Sequence, residues 1–553
     1  MNNRPKAELF GDTIRLELPY AWRNVASEFT QARWDPISRA WKIPAFMENL
    51  KVVASIAGIT MTNEFIDRLN SVSVPDAGSL MPNDPVVSMM LKPHIKPYKH
   101  QVQAFNLAMT KGNVAILHEQ GCGKSLVTVG VVGARWMAGE VRRVIIVAPL
   151  SVLPVWKREF NDYCSLTIPM ITLEGPVAAK VAAIKLMPSG IICVNYESVW
   201  REEVAVALKA WKPNMMICDE SQRIKSPTSR QSKGVAQLGH NCRYRMILSG
   251  TPVMNGPIDF WAQYRFLEPD LFSTSFYAFK SRYAVVGGYE NHQIVAYRHL
   301  DELVQKVHSI ASRTTKKEAL DLPETVDEIR YCELEPAARK AYKKLLKDSI
   351  AELDGGVITA PQVITRILRL QQITGGYVQI DEAKTLTKIS DAKRLALVDT
   401  LEDLLDAGKK VVIFARFLAE VSDITNTAKK MFGEDAVVVI TGAVDQKERG
   451  PIVDRFQTDP DCKVFIAQTA TAGLGITLTA ADTAIFYSCD YSYANHEQAR
   501  ARIHRIGQLN RCTYIYMVAE KTVDEDVLDI LQSKKSMADL VVDNWRSLLK
   551  EKG

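Results

Sequence analysis

Residues 118–125 read HEQGCGKS and follow the apolar run NVAIL at 113–117. A glycine-rich turn between a strand and a helix cradles an anion, because bare backbone N–H groups and the helix N-terminus point at one spot. Gly121 and Gly123 offer the unusual backbone angles and the close approach such a turn needs, with Cys122 between them. Lys124 has the reach for the β- and γ-phosphates of a nucleotide, and Ser125 carries a hydroxyl suited to Mg2+. The usual pattern, G-x-x-x-x-G-K-[ST], wants glycine where this chain has His118. A glycine-rich turn with an exposed lysine fits the same octet, so other residues must decide.

MMICDESQ (215–222) ends an apolar run in two acids. Asp219 there suits the shell of a Mg2+ ion, and Glu220 suits a base that orients and deprotonates an attacking water. Acids at a strand end also serve as plain helix caps. The order along the chain, strand–loop–lysine and later strand–Asp–Glu, favours the nucleotide reading. QARARIHRIGQ (498–508) supplies Arg502 and Arg505, whose spacing of three places them on one helical face. Arginines so placed stabilise charge on a transferring phosphoryl group, whereas a basic solvated helix or an RNA contact is the alternative.

The elements that must hold these residues show as short apolar runs separated by helical patterns. NVAILH (113–118), RVIIVAP (143–149), GIICVNY (190–196), MMICDE (215–220) and RMILSG (245–250) form one series. KVVIFA (410–415), AVVVITG (436–442), KVFIAQ (463–468), TAIFYS (483–488) and TYIYMV (513–518) form a second. Continuous apolar strands alternating with helices predict parallel sheets covered on both faces, hence an α/β protein of two lobes. RWDPISRAWKIP (33–44) sets Trp34 and Trp41 either side of an Asp-Pro turn, as in a hairpin. The expected organisation is a small separate α+β module over 1–70 and a Pro/Ser/Asp/Gly-rich linker over 71–89. A first lobe then covers 90–265, helical insertions and an inter-lobe region 266–384, a second lobe 385–530 and a C-terminal helix 531–553.

Bulk properties agree with a folded protein of several domains: 553 residues, 47% hydrophobic and 24% charged. No apolar run approaches the roughly 20 residues of a membrane span, and the N-terminus MNNRPKAELF has no signal-peptide core, so a cytoplasmic location is expected. Nine scattered cysteines form no C-x-x-C pair, which predicts neither zinc nor disulfides. The net charge of +6 suits nucleic acid without requiring it. The basic clusters RIKSPTSRQSK (223–233), RTTKK (313–317), RKAYKKLLK (339–347) and RARIHR (500–505) are more pointed.

Taken in order, these motifs resemble the SWI/SNF-type ATPases of helicase superfamily two, over about residues 90 to 530. PYKHQ (97–101) is similar to the family's adenine-reading motif, with Gln101 as the reader and Tyr98 near the base. HEQGCGKS resembles the family's DEMGLGKT, which also lacks the first glycine. VAPLSVLPVWKREF, DESQRIKSP, LSGTPVMNGPIDFW, RTTKKEALDLPE, QTATAGLGITLTAAD and QARARIHRIGQ resemble the motifs that follow, and the ending HRIGQ is specific to this family.

The resemblance implies two RecA-like lobes, ATP and Mg2+ as cofactors, and translocation on double-stranded or forked DNA, with DNA-bound proteins as further partners and a monomer as the basal state. It implies nucleotide contacts at Gly475 and Gln498, and coupling through Gln222 with Ser249, Gly250, Thr251 and Pro252. Ser151, Asn195, Tyr196, Lys225, Arg416 and Thr471 become candidates for the DNA track. Gln222 departs from the usual histidine, which puts coupling in question, although an amide still hydrogen-bonds. Thr477 replaces a common asparagine, as the annealing-helicase branch tends to do, and the Trp34–Trp41 hairpin is similar to that branch's HARP-type module; two tryptophans filling a small core is the plainer reading. The rival functions are an RNA-dependent ATPase and a non-hydrolysing DNA-binding scaffold. Lys124→Ala is expected to abolish ATP turnover in a steady-state phosphate-release assay, and turnover at the wild-type rate would remove the phosphate-loop assignment.

Overall fold

The computed structural model describes residues 5–538 except 12, 30, 37, 46, 58, 63, 67–76, 288–292, 320–321, 355–359, 380–385, 475 and 506. The chain divides into two compact units, Met1–Leu320 and Asp321–Gln532.

The first unit begins with a five-stranded sheet, β1 (Lys6–Phe10), β2 (Thr13–Glu17), β3 (Arg33–Asp35), β4 (Ala40–Pro44) and β5 (Thr60–Met61), in the order β3-β4-β2-β1-β5. Period-two alternation buries Ala7, Ile14, Leu16 and Ile43 on one face, where Leu50 and Val53 of the helix Met47–Ala54 meet them. Trp34 and Trp41 lie directly opposite each other across the β3–β4 hairpin, edge to face at 5.4 Å. Trp34 is 51% exposed, so the pair does not simply fill a core.

The N-terminal element, expected as a module over 1–70, is bonded to the rest of the first unit. Ser55 donates its hydroxyl to the Tyr297 carbonyl and accepts from the Tyr297 N–H, both at 2.9 Å, and Arg298 pairs with Glu28 at 3.1 Å. The module, the hairpin of β12 (Ala284–Gly287) and β13 (Gln293–Tyr297), and one face of the next sheet share one apolar cluster. The predicted linker is also tied down over its described part. Asn106 accepts from the Val86 N–H and donates to the carbonyls of Pro82 and Asp84, all within 2.9 Å.

The main sheet of this unit has seven parallel strands: β6 (Val114–His118), β7 (Arg143–Ala148), β8 (Met170–Thr172), β9 (Gly190–Asn195), β10 (Met215–Asp219), β11 (Tyr244–Leu248) and β14 (Ala311–Thr314). Their order is β14-β6-β11-β10-β7-β9-β8. Every residue of β6, β9 and β10 is buried, which is why they read as unbroken apolar runs. The edge strand β14 lies within the span expected to be an inter-lobe region, 266–384. Residues through Thr314 complete the first unit, and only those from 321 onward belong to the second.

The second unit carries a six-stranded parallel sheet: β15 (Thr325–Cys332), β18 (Val411–Ala415), β19 (Val437–Ile440), β20 (Val464–Gln468), β21 (Thr483–Phe486) and β22 (Cys512–Ala519), ordered β15-β22-β21-β18-β20-β19. A small hairpin, β16 (Tyr377–Gln379) with β17 (Leu386–Lys388), follows the helices Pro336–Asp354 and Ala360–Thr374. The fold is thus α/β, with two RecA-like parallel sheets, helical insertions and a small N-terminal α+β element. The predicted C-terminal helix falls on the end of Val523–Ala538 and on residues 539–553, which lie outside the described residues. Among the described residues no helix is long and apolar enough to cross a membrane.

Candidate nucleotide site

His118 is the last residue of β6 and is fully buried, so position 118 is strand and not loop. Its Nε2 lies 3.0 Å from the Ser312 hydroxyl, its ring stands edge-on to His100 at 5.4 Å, and burial holds the imidazole neutral. The glycine missing from the pattern is therefore not needed here. The turn itself uses the two glycines that are present. Gly121 and Gly123 have φ of 89° and 79°. The positive φ of Gly123 favours glycine, and a Cβ there would lie 2.0 Å from the Gln101 amide nitrogen and force that side chain to move.

Helix Lys124–Met137 starts at this turn and aims its N-terminus at the loop, with Ser125 in its first turn. The Lys124 ammonium donates to the carbonyls of His118 (3.0 Å) and Glu119 (3.3 Å). Burial pushes the Cys122 thiol up to about 11, so the residue contributes backbone and not a thiolate. The Cys122 carbonyl accepts from the Gln101 amide at 3.4 Å and lies 3.0 Å from His100 Nε2. The Gln101 oxygen takes the Tyr98 N–H at 2.9 Å, and the half-exposed Tyr98 ring stacks on His100 at 5.9 Å. Gln101, His100 and Tyr98 thus form one wall against the phosphate loop.

Asp219 and Glu220 stand at the end of β10, next to β11 and β7. Burial, then the Glu220 carboxylate, pushes the Asp219 carboxyl up to about 7, while Lys124 pulls it down. Glu220 sits at φ 53°, ψ 53°, a left-handed conformation that costs a non-glycine residue on the order of 1–3 kcal/mol. That turn directs its carboxylate to Gln222, whose amide donates to Glu220 Oε2 at 2.7 Å. Ser249 donates to the Gln222 oxygen at 2.7 Å, and the Thr251 N–H donates to Ser249 at 3.1 Å. The amide at 222 thus offers one donor and one acceptor, as a neutral imidazole would.

Arg313 and Glu119 take part in the site without any signal of their own in the sequence. The buried Arg313 guanidinium donates to the carbonyls of Leu117 (2.6 Å) and Gly250 (3.3 Å) and pairs with Glu119 at 3.3 Å. Glu119 in turn accepts the Lys316 N–H at 2.9 Å. The basic run RTTKK signalled charge but not an arginine inside the sheet that braces the start of the phosphate loop.

In the second unit, the helix Tyr493–Arg500 carries the half-buried Gln498 and stops before Arg502 and Arg505. The two arginines are therefore not on one helical face; they follow the helix in a turn. Each donates to the Ile476 carbonyl, at 3.4 and 3.3 Å, and the Leu478 N–H returns to the Arg502 carbonyl at 2.9 Å. Gly475 lies outside the described residues.

The track candidates fare differently. Tyr196 is fully buried, with its hydroxyl 2.7 Å from the Asp219 carbonyl, so its side chain is not a DNA contact. Asn195 is buried, its amide donating to Glu197 and its oxygen accepting from Ser198. Ser151 is half-buried in the turn before helix Leu153–Tyr163, and Lys225 is half-buried beside Asp259. Arg416 donates to the Gln371 oxygen and lies over the Phe417 ring at 5.3 Å. Thr471 is buried, and its hydroxyl turns in to the Gln468 carbonyl at 2.6 Å.

The model of the SNF2-related domain matches residues 98–396, and that of the helicase conserved C-terminal domain matches 393–507. The chain belongs to the SNF2-related family. The two matched domains are together those of an SNF2-type ATPase of helicase superfamily two. It is 25% identical to the TATA-binding protein-associated factor mot1 of Aspergillus fumigatus, over 82% of this chain and 27% of that protein. It is 26% identical to the ISWI chromatin-remodeling complex ATPase ISW1 of Saccharomyces cerevisiae, over 83% of this chain and 41% of that one. It is 23% identical to the DNA repair and recombination protein RAD54-like of Danio rerio, over 83% and 68%. The chain thus spans about a quarter to two-fifths of the first two relatives. A solved Sulfolobus solfataricus SWI2/SNF2 ATPase core in complex with dsDNA aligns with 83% of this chain and 99% of that one, at 24% identity and a TM-score of 0.39.

The raised Asp219 carboxyl sets a sign for stability. Between its ordinary 3.8 and about 7 the folded protein keeps a proton that the unfolded chain releases, so stability falls as pH rises through that window. In metal- and nucleotide-free buffer, the melting temperature of the wild type relative to Asp219→Asn is expected to drop as pH goes from about 5 to about 8. A difference that grows with pH would contradict the assigned burial.

Proposed function

We propose that this chain is an ATP-driven translocase on double-stranded DNA that remodels forks, recombination intermediates or protein–DNA complexes. The observation that carries the reading is the unbroken set of hydrogen bonds from Glu220 through Gln222 and Ser249 to Thr251, beside the phosphate loop of Lys124. A chain that only bound nucleotide would not need the acid at the strand end tied to a second motif.

The residues present fit Mg2+. Among the described residues no three His, Cys, Asp or Glu side chains cluster to hold a metal alone. Mg2+ suits such a place, since it keeps several waters and takes one or two protein oxygens with substrate phosphates. Asp219 and Ser125 are the oxygens assigned to it, and a dication offsets the buried negative charge that raises Asp219. When bound, the ion neutralises charge on the phosphate oxygens.

In this reading Gly121, Gly123 and the helix N-terminus hold the phosphates, and Lys124 leaves its loop carbonyls for the β- and γ-phosphates. Gln101 and Tyr98 take the base. Glu220 orients the attacking water and accepts its proton, and Gln222 reports the state of Glu220 to Ser249 and Thr251. Arg502 and Arg505 are assigned the charge that develops on the transferring phosphoryl group. Relatives named for DNA repair and recombination and for chromatin remodeling support duplex DNA as the track, as does a net charge of +6. Grip on phosphates makes binding independent of sequence and sensitive to salt.

The test is steady-state ATP hydrolysis at matched low salt with no nucleic acid, single-stranded DNA, blunt duplex, forked DNA or RNA. Duplex is expected to stimulate strongly, with forks equal or stronger. Stimulation by RNA alone would replace this reading with an RNA-dependent ATPase, and hydrolysis with none of them would overturn it.

A further inference from the structure

Trp156 and Tyr196 are among the largest fully buried side chains of the protein, and both end on the same residue. The Trp156 indole N–H donates to Asp219 Oδ2 at 3.1 Å, and the Tyr196 hydroxyl donates to the Asp219 backbone carbonyl at 2.7 Å. The other carboxylate oxygen, Oδ1, accepts the Glu220 N–H at 2.9 Å. Asp219 is therefore held by side chain and by backbone, from two different elements.

Those elements are placed by the sheet. β10, β7 and β9 are neighbours, and their registers align Cys218 with Val147 and Ala148 with Asn195, so the three strand ends are level. Trp156 lies in the first turns of helix Leu153–Tyr163, which follows β7 through the turn holding Ser151. Tyr196 opens the helix Tyr196–Val199 directly after Asn195. Two backbone segments that carry polar side chains at the strand ends thus each send one buried aromatic donor to Asp219. A buried indole or phenol needs some acceptor, but any carbonyl would serve. Burial raises the Tyr196 phenol well above its ordinary range, which keeps it a donor.

We infer that Trp156 and Tyr196 are positioning residues that couple the Ser151 and Asn195 segments to Asp219, so that DNA held at those segments sets the Mg2+ oxygen for hydrolysis. The DNA half of this inference rests on the proposed function; the positioning of Asp219 does not. A shift of either segment moves the aromatic ring at its base, and the ring carries Asp219 with it. The clamp also gives Tyr196, buried and out of reach of DNA, a place in the DNA response.

Trp156→Phe and Tyr196→Phe keep a ring and remove the donor. Both full-length variants are to be compared with the wild type by thermal melting, duplex-DNA anisotropy, ATP hydrolysis with and without duplex, and Mg2+ titration of fluorescent-ATP binding. Duplex affinity and the KM for ATP are expected to stay within about twofold, while DNA-stimulated kcat falls and the Mg2+ needed for half-maximal nucleotide binding rises, each roughly tenfold. Loss of thermal stability alone, with wild-type Mg2+ dependence and wild-type stimulation in the folded variants, would overturn the inference. If duplex fails to stimulate the wild type, the proposed function and the DNA half of the inference both fall. The Mg2+ titration then decides the positioning of Asp219 alone. Two variants on different elements keep the test open should one of them not fold.

Discussion

A carboxylate buried at the end of a parallel strand is the constraint around which the first unit is arranged. Asp219 has little water around it, and an unpaired buried charge is among the costliest things a fold can hold. The structure meets that cost with two donors, the indole of Trp156 and the Glu220 N–H, and with the positive charge of the nearby Lys124 ammonium. Burial still wins, and the carboxyl remains above its ordinary range. That residual tension is useful at a site for Mg2+ and a nucleotide, because the binding of positive charge relieves it.

The same economy explains the phosphate loop. Its turn needs only Gly121 and Gly123, since His118 is still strand and its ring is bound up with Ser312 and His100. Arg313 then fastens the loop's entry to the edge strand β14 and to Gly250. Gly250 belongs to the segment whose Ser249 and Thr251 answer Gln222. One buried arginine therefore touches both the phosphate-binding and the coupling segments of the first unit.

Much of this was legible in the sequence, for a physical reason. Strands buried on both faces read as continuous apolar runs, so β6, β7, β9, β10 and β11, and later β18 to β22, fall on the apolar runs of the sequence. Chemistry-bearing residues at or just past strand ends, such as Asp219 at the end of β10 and Lys124 in the turn-and-helix start after β6, were visible because glycines and acids interrupt those runs. The edge strands β14 and β15 were not. β14 is ASRT and β15 is TVDEIRYC, polar or alternating, and each is paired on one side only. β14 lies beyond the 90–265 span expected for the first lobe because its sequence carries no apolar run. Arg502 and Arg505 show a different limit: their spacing suited a helix, but the helix stops at Arg500 and a backbone carbonyl, that of Ile476, gathers them instead. Tyr196 became a track candidate through its place in a motif, which carries no information on burial; its ring is fully buried and its hydroxyl donates to the Asp219 carbonyl.

The most direct test of the account is Glu220→Gln, with ATP binding and single-turnover hydrolysis measured on the same preparation. The change keeps the side chain's size and removes the base while leaving Lys124 and Asp219 in place. The account predicts ATP binding close to that of the wild type and hydrolysis lowered by roughly 10²–10⁴-fold, the usual contribution of a positioned general base. Hydrolysis at the wild-type rate would contradict it, because Glu220 would then be neither the base nor the head of the chain that runs through Gln222 to Thr251.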